Sequence, residues 1–168
     1  MDVREVALAH AAKGYRVLPL EPPRIDGSGG KDPIGRLAQH GAHSATRDEQ
    51  VIRRWWRAEP GANIGIALGT GIVGLDADPR HGVDPEEIAE RIGIPPMVRT
   101  GMAGEPDVEH PDSLSGVRGG HWYFRADVRG CDTRGIELRG AGRYLVAPGS
   151  RHASGFLLQR VSRSRIRG

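Results

Sequence analysis

The chain has 168 residues, with 24 basic and 21 acidic side chains and a formal net charge of +3. That length suits one domain big enough to bury a core. The single cysteine, Cys131, excludes a disulfide framework and a cysteine zinc cluster, and no apolar run approaches the ~20 residues of a membrane span. The N-terminus lacks the apolar stretch of a signal peptide, so a cytoplasmic location is expected. All but two of the basic residues are Arg, because Lys occurs only at 13 and 31. Arginine is the better bidentate phosphate ligand, and a GC-rich coding bias would give the same excess.

In chain order, helices and strands alternate without internal repeats. Asp2 to Lys13 reads as a helix with Val3, Val6, Ala7 and Ala11 on one side, stopped by Gly14. Tyr15 to Leu20 reads as a strand, and Glu21 to His43, with Pro22-Pro23, Gly27 and Gly29-Gly30, as a long loop of the kind that is often functional or disordered. Thr46-Arg47-Asp48-Glu49 has the pattern of a capping box and opens a helix bearing Val51, Ile52, Trp55 and Trp56, closed by Pro60. Adjacent helix residues differ by about 100°, so one tryptophan is expected in the core and the other nearer the surface or a cleft.

Ile64 to Leu68 and Ile72 to Asp78 read as strands joined in a hairpin by Gly69-Thr70-Gly71. The run Gly69 to Gly74 also matches a dinucleotide-binding G-x-G-x-x-G, but that loop must open a helix, and β-branched residues follow instead. Asp84-Pro85-Glu86-Glu87 caps a short helix ending at Gly93. Strands are expected at Met97 to Thr100, His121 to Phe124, Gly135 to Arg139 and Tyr144 to Ala147.

The most informative feature is Asp76-Ala77-Asp78. Side chains at i and i+2 leave a strand on one face, so Val73, Leu75 and Ala77 can enter a core while both acids face out together. Paired carboxylates suit Mg²⁺ or Mn²⁺ completed by substrate phosphates. They equally suit a strand end facing water before the turn Asp78-Pro79-Arg80-His81-Gly82. Two later strands repeat the pattern: His121 and Tyr123 share a face opposite Trp122 and Phe124, and Glu137 and Arg139 share one opposite Ile136 and Leu138. Each has a plain reading as a solvated sheet face. Pro148-Gly149-Ser150-Arg151-His152 then forms a turn rich in phosphate-binding groups.

From Ala7 to about Gly155 the order of segments resembles the N-terminal domain of bifunctional DNA primase-polymerases, the prim-pol branch of the archaeo-eukaryotic primase superfamily. The resemblance rests on Ala12 to Leu20, Lys31-Asp32-Pro33, Ala45 to Asp48 through Trp55-Trp56, Pro60 to Ile66, Leu75 to Asp78, Gly119 to Phe124 and Val146 to Ser150. It implies a single α/β (α+β) domain, residues 1–155, with a central mixed or antiparallel sheet flanked by helices around an RRM-like catalytic core. Residues 156–168 would be an Arg-rich tail or a truncated continuation. The tail could track nucleic acid or be a disordered end.

The resemblance further implies that Asp76, Asp78 and Glu137 hold two Mg²⁺ or Mn²⁺ ions. It associates His121 with the triphosphate of the incoming nucleotide and sets Lys31, Ser150, Arg151 and His152 near the nucleotide. By the chemistry of its guanidinium, Arg139 is a further candidate phosphate contact. The implied substrates are nucleoside triphosphates and a single-stranded or primed DNA template, without a membrane. A replicative helicase would act in trans or beyond the C-terminus.

Met102 to Arg118 departs from the family's short glycine turn and reads as a mobile or disordered insertion, or as a flap. The expected activity is metal-dependent primer synthesis or extension in plasmid, phage or mobile-element replication. Its alternatives are a catalytically weak nucleotide- or nucleic-acid-binding module and a metal-dependent phosphohydrolase or nuclease.

Overall fold

In the computed structural model, which describes residues 2–24, 26, 28–69, 71–102, 116–126, 131–133, 136–152 and 157–160, Asp2 opens α1 (Val3–Ala12) by accepting a hydrogen bond from the Arg4 amide. Ala7 and Ala11 form its buried side. Gly14 adopts φ +90°, a left-handed conformation costly for other residues, and releases the chain into β1 (Val17–Leu20).

The cap of α2 (Glu49–Ala58) differs from the expected capping box. Asp48, not Thr46, is the N-cap, accepting from Gln50 N at 2.8 Å and Val51 N at 3.1 Å, while Thr46 Oγ1 accepts from Asp48 N. Thr46 is already committed: its backbone exchanges two hydrogen bonds with Val17. A full carboxylate charge also suits the helix N-terminus better than a hydroxyl.

The expected split between the tryptophans does not hold. Trp55 is 8% exposed and Trp56 2%, because α1 and β1 cover this helix from two sides. Trp56 Nε1 donates to Ala62 O at 3.1 Å, which satisfies its polar edge inside the core.

The remaining described elements are β2 (Asn63–Ala67), β3 (Ile72–Ala77), α3 (Pro85–Ile92), β4 (Val98–Met102), β5 (Arg118–Arg125), β6 (Cys131–Thr133), β7 (Ile136–Arg139), β8 (Tyr144–Val146) and β9 (Gln159–Arg160). They form two sheets, ordered β1-β2-β8 and β6-β7-β3-β5-β4-β9. Every pairing is antiparallel. α3 starts at the Asp84 cap with Pro85 in its first turn and stops at left-handed Gly93, as its sequence predicts.

β2 and β3 do not form the expected hairpin. Gly69 and Ile72 close a tight turn, with Gly69 N donating to Ile72 O at 2.7 Å, but the strands on either side enter different sheets. The turn is a corner, pressed against Ala141 at Gly69, where a Cβ would come within 2.7 Å of the Ala141 backbone. The sheets meet at Gly74, whose missing side chain leaves room for Leu145 and Leu68.

One core cluster joins α1 and α2 to the three-stranded sheet through Ile52, Trp55, Trp56, Ile64 and Ile66. On the larger sheet, fully buried Trp122 anchors the opposite face, its Nε1 donating to Ile94 O at 2.8 Å. Residues 103–115 of the expected insertion lie outside the described residues, as do 156 and 161–168 of the expected tail and Gly135 of the strand expected at Gly135 to Arg139.

Candidate active site

β3 lies inside the larger sheet, with β5 on one side and β7 on the other. The register sets Asp76 directly opposite His121 on β5 and Glu137 on β7. Directly opposed residues of antiparallel strands share a face, so the three side chains stand in one row. His121 Nε2 lies 3.2 Å from Asp76 Oδ1, and Arg139 Nη2 lies 3.2 Å from Asp76 Oδ2 while also pairing with Glu137. Asp78, one step past the end of β3, is gripped by Arg80, whose Nε donates to Oδ1 at 3.0 Å and to Oδ2 at 3.1 Å.

These contacts set the charge states. Burial pushes the Asp76 carboxyl upward, but the His121 hydrogen bond and the charges of His121 and Arg139 outweigh it and hold the group below its ordinary range. Burial likewise pushes the Asp78 carboxyl upward, and the Arg80 hydrogen bonds and charge overcome it and hold the group below its ordinary range. Both acids are therefore ionised at neutral pH. Among the described residues, three buried side-chain atoms lack a hydrogen-bond partner: His121 Nδ1, Tyr123 Oη and Arg139 Nε.

Asp76 and Asp78 open into a cleft of about 210 Å³, also lined by His121, Arg139, Lys31 and Arg80 together with Arg151 and His152. Its rim comes from segments far apart in sequence, fastened to each other by polar contacts. The buried Asn63 amide donates to Gly30 O at 2.9 Å and to Arg151 O at 2.7 Å, and its carbonyl accepts from Arg151 N at 2.8 Å. Tyr144 Oη donates to Lys31 O at 3.0 Å. His152 packs on Gly101, where a Cβ would fall 2.5 Å from the imidazole ring. Burial, followed by the charges of Lys31 and Arg80, lowers the His152 pKa.

One expected nucleotide contact is misplaced. Ser150 is fully buried and does not line the cleft. Its Oγ accepts from Ile64 N at 2.9 Å and reaches Ile64 O at 3.3 Å, so the hydroxyl ties the Pro148-to-His152 turn to β2. Lys31, Arg139, Arg151 and His152 do line the cleft. Glu137 stands at its margin, 38% exposed, joined to it through Arg139.

Sequence reasoning missed Arg80, Asn63 and Tyr144. Arg80 lay in view inside the Asp78-to-Gly82 turn, four residues after Asp76, and a cation so near two acids was the available signal.

Hard carboxylate oxygens on a shared face are suitable donors for Mg²⁺ or Mn²⁺. Among the described residues no three His, Cys, Asp or Glu side chains gather closely enough to form a metal cage. Mg²⁺ commonly takes one or two protein carboxylates and completes its shell with water and substrate phosphate.

The sequence profile described as "bifunctional DNA primase/polymerase, N-terminal" matches residues 7–164. The chain belongs to that family. No curated protein matches it. A prim-pol domain carries a function of the DNA primase/polymerase type, acting on nucleotides and a DNA template. No described helix of this prim-pol domain is long and apolar enough to cross a membrane.

Proposed function

We propose that this prim-pol domain is a metal-dependent nucleotidyltransferase that makes or extends primers on a DNA template. The observation that carries the reading is the sorting of charge in one cleft: Asp76 and Asp78 beside a ring of phosphate-binding cations, with Glu137 across the strand from Asp76. Asp76, Asp78 and Glu137 are the residues that would hold Mg²⁺ or Mn²⁺. When bound, such ions lower the pKa of a primer 3′-hydroxyl and neutralise charge on the departing pyrophosphate.

In the reaction, the 3′-oxygen forms a bond to the α-phosphorus, the bond from that phosphorus to the bridging oxygen breaks, and pyrophosphate leaves with the electron pair. The hydroxyl proton passes to solvent. Lys31, Arg139, Arg151 and His152 bind the β- and γ-phosphates by charge-assisted hydrogen bonds. The partnerless His121 Nδ1 and Arg139 Nε mark where an oxygen-rich substrate could supply acceptors. In a plasmid, phage or mobile-element replication system, a helicase would work beside this domain, in trans or on a longer chain.

The test is incubation with a primed template, labelled nucleotides and Mg²⁺ or Mn²⁺. Chain extension with pyrophosphate release supports the reading. Loss of nucleotides points to a nuclease or phosphohydrolase, and triphosphate binding without extension to a binding module. Glu137→Gln keeps shape but removes charge and should lower incorporation by orders of magnitude. The exposed helix residue Glu87, changed to Gln, should be nearly silent, since such surface swaps stay within ~0.5 kcal/mol. Incorporation at the wild-type rate by Glu137→Gln, where Asp76→Asn is inactive, would remove Glu137 from the site.

A further inference from the structure

A second concavity, of about 720 Å³, lies farther along the same face of the larger sheet. Lys13 and Tyr15, just past α1, form one wall; Tyr123 and Arg125 on β5 form the floor, and Arg160 on β9 the far side. The register makes this continuous with the Asp76 row. Arg160 opposes Val98, Val98 opposes His121, and His121 opposes Asp76, so all four share a face. Arg160 therefore stands three strands, or ~14 Å, from Asp76 in one direction, and Arg125 lies four residues, or ~13 Å, past His121 in the other.

The chemistry differs sharply from that of the cleft. No Asp or Glu lines this groove among the described residues. Its cations come from three separate elements, and none of the three forms an ion pair with a described carboxylate. His10 does not add a charge, because burial, followed by the nearby charges of Lys13 and Arg160, lowers its pKa. Between them Tyr15 and Tyr123 stand with ring centroids 6.4 Å apart and planes tilted by 54°.

A divalent cation is repelled by such a surface. An acidic peptide would find the cations but has no use for the Tyr15 ring on the groove wall. A single-stranded nucleic acid uses both, with phosphates on the cations and a base on the Tyr15 ring.

We propose that this groove holds the single-stranded template as it leaves the Asp76 site, with Lys13, Arg125 and Arg160 on its phosphates and Tyr15 as the base-stacking ring. The proposal rests on the nucleotidyltransferase reading for the strand's role, but its binding chemistry stands on the groove itself.

The test measures binding of a fluorescein-labelled oligothymidylate by anisotropy across a salt series. Lys13→Gln, Arg125→Gln and Arg160→Gln should each weaken binding and lower the slope of log affinity against log salt by about 0.7, the value for one single-strand phosphate contact. Tyr15→Leu should weaken binding about tenfold with the slope unchanged. Arg54→Gln with Arg57→Gln, exposed on α2, should leave the slope unaltered. An equal fall for the α2 pair, an unchanged slope for the groove variants, or competition by polyglutamate as strong as by unlabelled oligonucleotide would each overturn the groove.

Ribo- and deoxy-oligomers compared in the same assay identify the strand. The two readings fail separately. Groove-dependent binding by a protein that never extends a primer would sink the enzyme and keep the groove, whereas extension with groove-independent binding would do the reverse.

Discussion

His10 is a histidine kept neutral. Its ring sits behind the Pro148-to-His152 turn, with Nε2 donating to Pro148 O at 3.1 Å, and burial lowers its pKa from the ordinary 6.5. Above pH 6.5 both folded and unfolded chains carry it neutral, so it costs nothing. As pH falls below that value the unfolded chain takes up the proton first, and stability is lost until the folded pKa is passed. His10→Gln keeps a donor for Pro148 O without a titrating ring. Thermal melts of the variant should therefore lose less stability than wild type between neutral and mildly acid pH. Parallel curves would show that another group controls the acid limb. Asp76 and Asp78, held below their usual range by their basic partners, give their own loss at lower pH, as pH falls through the carboxylate range.

At the scale of elements, the strands bearing the site were legible because period-two alternation is a local property: Asp76, His121 and Glu137 each stand out of a strand whose neighbours point the other way. What alternation does not encode is which sheet a strand joins. The turn at Gly69 to Ile72 has hairpin sequence, and only the tight approach of Ala141 and the fit of Leu145 over Gly74 send β2 and β3 to separate sheets. The same limit explains Trp55 and Trp56, whose two-sided burial depends on where α1 and β1 lie, and Ser150, whose hydroxyl reads as a ligand until Ile64 is found beside it. The sheet junction is open to a direct test. Gly74→Ala places a methyl against Leu145 and Leu68, and such overpacking costs about 1–3 kcal/mol. Urea unfolding measures it, and a midpoint matching wild type would mean that the sheets have slack at this point.

For the whole molecule, the acids of the cleft do not need a metal ion to be tolerated. Arg80 offsets Asp78, and Arg139 with His121 offsets Asp76, while the cores are apolar and the sheets are held by backbone ladders. Chelation with EDTA should accordingly abolish nucleotide incorporation and leave the melting temperature within about a degree or two, since no large stabilising term is removed. Restored incorporation on adding Mg²⁺ or Mn²⁺ completes the check. A melting temperature that drops with incorporation would assign the ion a structural share.

The fastening of the cleft also bears on how the protein comes into being. His10 meets Pro148 across 138 residues of chain, Tyr144 meets Lys31 across 113, and Asn63 meets Arg151 across 88. Each closes a long loop whose entropy must be met before the contact returns anything, which slows folding. A nascent chain emerging from the ribosome holds α1, α2 and the first strands long before Arg151 arrives to be gripped by Asn63. Asp76 and Asp78 are thus synthesised about half a chain ahead of the Arg151 turn that completes their rim, and the cleft is among the last parts of the molecule to close.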